Sequence, residues 1–263
     1  MAAAGIDDFL RLAARLAEES GAIVLRHFRR ALAVDDKADL SPVTAADRDA
    51  EAAMRRRIEE HFPDHGVIGE EHGASNAEAP YVWVLDPIDG TKSFIAGKPL
   101  FGTLIALLHE GRPILGIINH PALGERWTGA AGKATLFNGA PVRTRACGEL
   151  AKAIVFSTSP YMFASPRDKA AYERLRTSAK LALFGTDCYG YGLVASGFAD
   201  LVIESGLKPY DYCALIPVLE GAGGVITDWR GCALGLHSDG RVLAAGDARA
   251  HAQALGVISE AAG

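Results

Sequence analysis

Apolar residues at Ile6, Phe9, Leu10, Ala13, Leu16 and Ala17 recur every three or four positions, and Ile23, Val24 and Phe28 continue the series. This spacing predicts an amphipathic helix over residues 6–30, with Gly21 as a bend. A polar loop follows from Asp35 to Pro42, then a second helix from Ala45 to Phe62 that Pro63-Asp64 stops. Its Arg55-Arg56-Arg57 and Glu59-Glu60 clusters read as a solvated face. The pattern then changes to short strand-like runs at Val67 to Glu70, Tyr81 to Leu85, Phe101 to His109, Ile114 to Asn119 and Glu125 to Ala130. Glu110-Gly111 makes residues 101–120 a β-hairpin, and Phe137-Asn138-Gly139 is a further turn. The second half alternates strands at Ile154 to Ser157, Leu181 to Phe184 and Leu201 to Glu204 with helices at 166–179, Tyr189 to Ser196 and Asp211 to Glu220. Val225 to Asp228 and Val242 to Ala244 complete the sheet, and the tail beyond, rich in Ala and Gly, is expected to fray. The pattern gives an α/β fold of the layered α+β kind, one domain over residues 1–263 with two lobes at about 1–145 and 146–263.

Composition narrows this. The chain has 263 residues, 49% hydrophobic and 22% charged, ample for a large core. A net charge of -5 argues against nucleic acid as a partner, because a phosphate backbone needs a basic footprint. Small anionic substrates stay open, since bound metal ions reverse the local sign. Cys147, Cys188, Cys213 and Cys232 form no C-x-x-C pair, so reduced, mostly buried thiols and a cytoplasmic location are expected. The first residues lack a basic region followed by an apolar core, so no signal peptide is expected. The longest apolar tract, around Thr103 to Leu108, suits a buried strand and not a membrane span.

The segment Trp83-Val84-Leu85-Asp86-Pro87-Ile88-Asp89-Gly90-Thr91 carries the chemistry. An apolar run delivers two carboxylates onto a Gly-Thr turn, and Pro87 fixes the direction in which the chain leaves the strand. Glu70, at the end of another apolar run, and Asp211, before a helix, add two more. Each has an ordinary reading: Asp86 and Asp89 as turn formers, Glu70 as a solvated loop acid, Asp211 as an N-cap. Together they form a set of hard oxygen ligands suited to Mg²⁺, which substrate phosphate and water usually complete. Gly90 and Thr91 offer backbone N–H groups to an anion. Thr44-x-x-Asp47 has the form of a capping box, with the alternative that Asp47 orients Thr91. The chain therefore reads as a metal-dependent phosphatase.

These segments in this order resemble the inositol monophosphatase family of Mg²⁺-dependent phosphatases, from about Ile6 to about Ala245. The motif elements are Gly69-Glu70-Glu71, then Asp86-Pro87-Ile88-Asp89-Gly90-Thr91, then Asp211 ahead of Gly221-Ala222-Gly223-Gly224. The resemblance implies an αβαβα sandwich, a small-molecule phosphate ester as partner, and a homodimer. It implies that Glu70, Asp86 and the Ile88 carbonyl hold one Mg²⁺, that Asp86, Asp89 and Asp211 hold a second, and that a third binds weakly near Glu70 and Asp86. Gly90 and Thr91 would bind phosphate through their amides. Glu70 and Thr91, the latter backed by Asp47, would position the attacking water.

Three segments resemble the histidinol-phosphatase branch: Asp89 to Leu108, Thr186-Asp187-Cys188-Tyr189-Gly190-Tyr191 and Glu204-Ser205-Gly206-Leu207-Lys208-Pro209-Tyr210-Asp211. Histidinol carries an ammonium and an imidazole, and Asp187 and Glu204 are the candidate acids to bind them. The ordinary readings are an N-cap for Asp187, a surface acid for Glu204, and core packing for Tyr189 and Tyr191. Lys92 is either a counter-charge to phosphate or a solvated lysine, and it also resembles the phosphoadenosine-phosphate nucleotidase branch. Rival substrates are inositol phosphate and a nucleotide 3′-phosphate; a non-catalytic metal-binding regulator is the rival of another class. His72, His109 and His120 read as surface or core histidines rather than metal ligands.

Overall fold

Two helices open the fold, α1 (Ile6–His27) and α2 (Ala45–His61), in a computed structural model that describes residues 5–30, 34–36 and 42–259. Between them, β1 (Val34–Asp36) and β2 (Pro42–Thr44) pair as a small antiparallel ribbon. The expected loop from Asp35 to Pro42 falls on this ribbon, and residues 37–41 lie outside the described residues. An eight-stranded sheet follows: β3 (Gly66–Gly69), β4 (Gly73–Ser75), β5 (Tyr81–Asp89), β6 (Gly102–His109), β7 (Arg112–His120), β8 (Glu125–Ala130), β9 (Leu136–Phe137) and β10 (Ala140–Pro141). Its spatial order is β10-β9-β8-β7-β6-β5-β3-β4, with β3 and β5 parallel. A short helix, α3 (Thr91–Ile95), follows β5.

The second sheet has the order β12-β11-β13-β15-β14, from β11 (Ile154–Ser157), β12 (Leu181–Phe184), β13 (Leu201–Glu204), β14 (Val225–Thr227) and β15 (Val242–Ala245). Its helices are α4 (Pro166–Ser178), α5 (Tyr189–Ala195), α6 (Pro209–Tyr212), α7 (Leu215–Gly221) and α8 (Ala248–Ser259). Side chains alternate between two cores. Val82 and Val84 of β5 meet α5 and α7, whereas Trp83 and Leu85 meet Phe9, Leu12 and Leu16 of α1 and Met54 and Ile58 of α2. On the second sheet, Val202 and Ala244 face α5 and α7, while Leu201, Ile203 and Leu243 face Leu175 of α4 and Ala250 of α8. The layers are thus α1/α2, large sheet, α5/α7, small sheet and α4/α8, an αβαβα sandwich. Both faces of the inner strands of each sheet are covered, which is why they read as near-continuous apolar runs, whereas the edge strand β12 leaves Leu181, Leu183 and Phe184 exposed.

Besides the β1–β2 ribbon and the short elements β4, α3, β9 and β10, which the sequence pattern does not mark, four expected elements differ. α1 runs unbroken through Gly21. β5 continues past Leu85 to Asp89. The expected helix from Asp211 to Glu220 is two: α6 starts at Pro209, and the chain breaks after Tyr212. Pro217 explains the break, because its ring would strike the Cys213 carbonyl and it has no N–H to offer, yet it fits the first turn of α7. The C-terminal tail does not fray through residue 259: Ala250, Ala254 and Ile258 lie every fourth position and bury against the small sheet as α8. Among the described residues no helix is long and apolar enough to cross a membrane.

Candidate metal centre and active site

The parallel pairing of β3 and β5 puts Gly69 opposite Leu85, so Glu70 and Asp86 leave adjacent strand ends side by side. Beyond Asp86 the ladder slips. Asp86 pairs with Leu104 and Asp89 with Gly102, so three steps along β5 match two along β6. Residues three apart on a regular strand face opposite sides; the extra residue of this bulge brings both carboxylates to one side. Thr103 Oγ1 donates to the Pro87 carbonyl at 2.9 Å, and the Ile88 N–H donates to Asp86 Oδ1 at 3.0 Å, so the bulge is braced from both directions. Asp211, in the first turn of α6, completes a cluster in which Asp86, Asp89 and Asp211 each offer a carboxylate oxygen within 4.8 Å of the others.

The charges of this cluster oppose one another. Burial pushes the Asp86 carboxyl well above the usual carboxylate range, and the charges of Glu70, Asp89 and Asp211 push it further. Asp89 rises for the same reasons, burial first, then Asp187 and Asp211. Burial, then Glu70 and Glu204, lifts Asp211 to about 7 against the pull of the Lys208 amide. Like charges gathered at one buried point are relieved by a cation, and an all-oxygen donor set of this kind suits Mg²⁺. Asp211 does not serve as the N-cap. Lys208 holds that position, and Asp211, three residues on, accepts its N–H at 2.6 Å, so capping and cluster membership coexist.

Gly90 caps α3 in the left-handed conformation (φ 78°). A Cβ there would lie 2.9 Å from the Asp187 carboxyl carbon, so only glycine admits that side chain beside the turn. Ser93 Oγ donates to Asp187 Oδ2 at 2.7 Å. Asp187 itself has φ 45° and makes no cap for α5; Cys188 is the capping residue. Burial raises the Asp187 carboxyl, against the Ser93 hydrogen bond and the charges of Lys98 and Lys92. Glu204 is buried rather than a surface acid. It accepts the Thr158 N–H at 3.0 Å and the Tyr191 hydroxyl at 2.8 Å, and burial lifts it to about 7.

One expected pairing is absent here. Thr91 Oγ1 donates to the Ile88 carbonyl at 3.1 Å, not to Asp47. Asp47 Oδ2 instead accepts the Thr44 N–H at 2.9 Å and the Thr44 hydroxyl at 2.6 Å, closing the capping box of α2, while its Oδ1 is buried with no hydrogen-bond partner among the described residues. The reason is local: a carboxylate three residues into a helix reaches its own N-cap at less entropic cost than a remote hydroxyl. The ordinary readings also hold for the other side groups. Tyr191 is fully buried, Tyr189 packs edge-on to His120 and Trp127, His120 Nδ1 meets the Phe101 carbonyl at 2.8 Å, His72 Nε2 meets the Arg48 carbonyl at 3.1 Å, and His109 stacks on Tyr81. Cys147, Cys188 and Cys213 are buried free thiols, but Cys232 is exposed. Sequence reasoning missed the Cys188 amide, which donates to Asp89 Oδ2 at 2.7 Å, and Ser93. A backbone amide carries no signal in a sequence; Ser93 had one, its place in the first turn after Gly90.

A five-layer sandwich with clustered carboxylates at its strand ends and a Gly-Thr turn beside them defines a phosphatase class. The chain belongs to the inositol monophosphatase family, whose model matches residues 6–262; enzymes of this family use Mg²⁺. It is similar to the bifunctional phosphatase IMPL2 of Arabidopsis thaliana, described as chloroplastic, with 51% identity over 95% of this chain and 75% of that protein. It is similar to the histidinol-phosphatase of Chlorobaculum parvum, with 44% identity over 84% of this chain and 86% of that one. A solved inositol monophosphatase from Zymomonas mobilis superposes with a TM-score of 0.90 and 46% identity, covering 97% of this chain and 99% of that one.

Proposed function

We propose that this protein is an Mg²⁺-dependent histidinol-phosphatase that hydrolyses L-histidinol phosphate to L-histidinol and phosphate. One observation carries the choice of ester: the Asp187 carboxylate stands against Gly90, at the edge of the anion-binding turn. A carboxylate there repels a bare phosphate, so the arrangement favours an ester that brings its own cation. Histidinol phosphate brings an ammonium and an imidazole; inositol phosphate brings neither. The similarity to the Chlorobaculum parvum histidinol-phosphatase supports the same reading.

In this reading Glu70, Asp86, Asp89, Asp211 and the Ile88 carbonyl hold two to three Mg²⁺ ions. Bound there, Mg²⁺ neutralises the ester's charge and acidifies water. The amides of Gly90 and Thr91 hold the phosphate oxygens. The Thr91 hydroxyl spends its proton on the Ile88 carbonyl, so its lone pairs face outward and orient the attacking water together with Glu70. Thr91 thereby needs no proton acceptor in Asp47, whose part is to set the start of α2 beside Glu70. Water attacks phosphorus, the bond to the histidinol oxygen breaks, and that oxygen gains a proton. Asp187 and Glu204 bind the cationic end of the substrate. The same reading takes the protein as a cytoplasmic homodimer.

Inositol phosphate is the second reading, favoured by the similarity to the Zymomonas mobilis inositol monophosphatase. Phosphate release from histidinol phosphate, inositol phosphate and a nucleotide 3′-phosphate, each with Mg²⁺ and with chelator, separates the readings. We expect histidinol phosphate to lead in kcat/KM by at least about tenfold, and Asp187→Asn to erase that lead while sparing the other esters. Preference for inositol phosphate in the unaltered protein overturns the choice of substrate. No release from any ester despite bound metal returns the chain to a regulatory role.

A further inference from the structure

The loop that presents Glu70 is tied down by a group the chemistry above leaves unused. Glu51 lies one turn after Asp47 on α2, and its side chain is wholly buried. Glu51 Oε2 accepts the Glu71 N–H at 2.7 Å, and Oε1 accepts the His72 N–H at 3.1 Å and Arg55 Nε at 2.7 Å. Arg55 continues to Ser75 Oγ at 3.4 Å and to the Gly73 carbonyl, and His72 Nε2 returns to the Arg48 carbonyl at 3.1 Å. A Cβ at position 69 would fall on the Glu51 carboxylate, so Gly69 is what admits it. Three N–H donors, one of them a guanidinium, make this burial of a charge tolerable.

The two amides that Glu51 holds follow Glu70 directly, and the Glu70 N–H itself donates to the Leu85 carbonyl at 3.2 Å. The peptide plane before Glu70 is therefore anchored to β5, and the plane after it to Glu51. A residue has two soft backbone dihedrals, and fixing the planes on both sides fixes both. That leaves the Cα–Cβ bond of Glu70 one direction, beside Asp86. We propose that Glu51 is a positioning residue for Glu70: a buried carboxylate that orients the metal-binding side chain without touching metal or substrate. The inference rests on the reading of Glu70 as a metal ligand.

The test is direct Mn²⁺ binding, read from the free-ion signal in electron paramagnetic resonance, on the full chain without substrate. Glu51→Gln keeps the volume and one acceptor but loses the charge. We expect it to weaken Mn²⁺ binding by about 10- to 100-fold, the usual cost of disturbing a group behind a metal ligand. In a Glu70→Ala background the same change should have no further effect, since the two act in series. Ile58→Ala, a core change on the same helix that does not reach the loop, should lower Tm and leave Mn²⁺ binding alone. Glu51→Asp is the second variant if Gln does not fold, with the same expected loss. The inference is overturned if Glu51→Gln binds Mn²⁺ normally, if its effect persists undiminished without Glu70, or if Ile58→Ala weakens binding as much. If Glu70→Ala alone leaves Mn²⁺ binding intact, it is the reading of Glu70 that fails.

Discussion

Asp89 is held from one side by the Cys188 amide and pressed from the other by the charges of Asp187 and Asp211. Asn at this position can still accept the Cys188 N–H, so Asp89→Asn removes charge without removing the anchor. Turnover should fall by at least about 100-fold, more than the loss usually seen when only a neighbour of a metal ligand is changed. The Tm in chelator should hold or rise, because one member of a repelling cluster has gone. Phosphate-release kinetics with a parallel melt check both; activity within a few-fold of the parent would undo the assignment of Asp89. Asp86, Asp89 and Asp211 were legible in the sequence because acidic side chains at the ends of apolar runs demand a reason. The Thr91–Asp47 pairing implied by the resemblance does not form: Thr-x-x-Asp describes a capping box equally well, and the cap is what forms. Glu51 was illegible, since a glutamate inside an amphipathic helix looks solvated until its partners, the amides of residues 71 and 72, are placed in space.

The bulge in β5 decides whether Asp86 and Asp89 can cooperate, and it was hidden by rules that usually serve well. Proline and Asp-Gly end strands more often than they interrupt them, so the pattern ends the strand at Leu85, although pairing resumes at Asp89. The alanine stripe of α8 reads as a fraying tail because alanine carries little hydrophobic contrast, whereas the break between α6 and α7 is written in Pro217. The inner strands of the large sheet, β3 and β5 to β8, were legible because they are mostly buried; the short, exposed or half-buried strands β4, β9 and β10 were not. How tightly the central helices hold that sheet can be measured at Trp127. This β8 residue is fully buried, packs on Phe137 and Tyr189, and donates its indole N–H to Ser196 Oγ, at the end of α5, at 2.8 Å. Trp127→Phe leaves a gap and strands the Ser196 hydroxyl. It should cost about 1–3 kcal/mol, seen as a lower urea midpoint at unchanged slope. An unshifted midpoint would mean that α5 and the large sheet are joined by other contacts.

The five layers converge on one place where four acidic residues meet from three stretches of chain: β3, the end of β5 and α6. The core that brings them together also withdraws them from water. Burial lifts Asp211 and Glu204 to about 7, and Asp86 and Asp89 rise as well. Without metal, the folded protein keeps protons that the unfolded chain releases near its ordinary carboxylate values, 3.8 for Asp and 4.5 for Glu. These groups therefore stabilise the fold at acid pH, and that contribution is lost as pH rises from about 4 through about 7. His120 acts in the opposite sense. Burial lowers it from 6.5 to about 4, so its contribution is present above its unfolded value and is lost as pH falls through that range. The histidine contribution is the same with and without a divalent ion and cancels in the difference. Mg²⁺ binds the ionised carboxylates of the folded state and must displace their protons at lower pH. The Tm in Mg²⁺ minus the Tm in chelator should therefore be near zero at about pH 5.5 and grow to several degrees at about pH 8. Paired melts across that range, at constant ionic strength, read the difference directly. A difference that stays flat, or is larger at the acid end, would mean that the carboxylates raised by burial are not the groups that hold the ion.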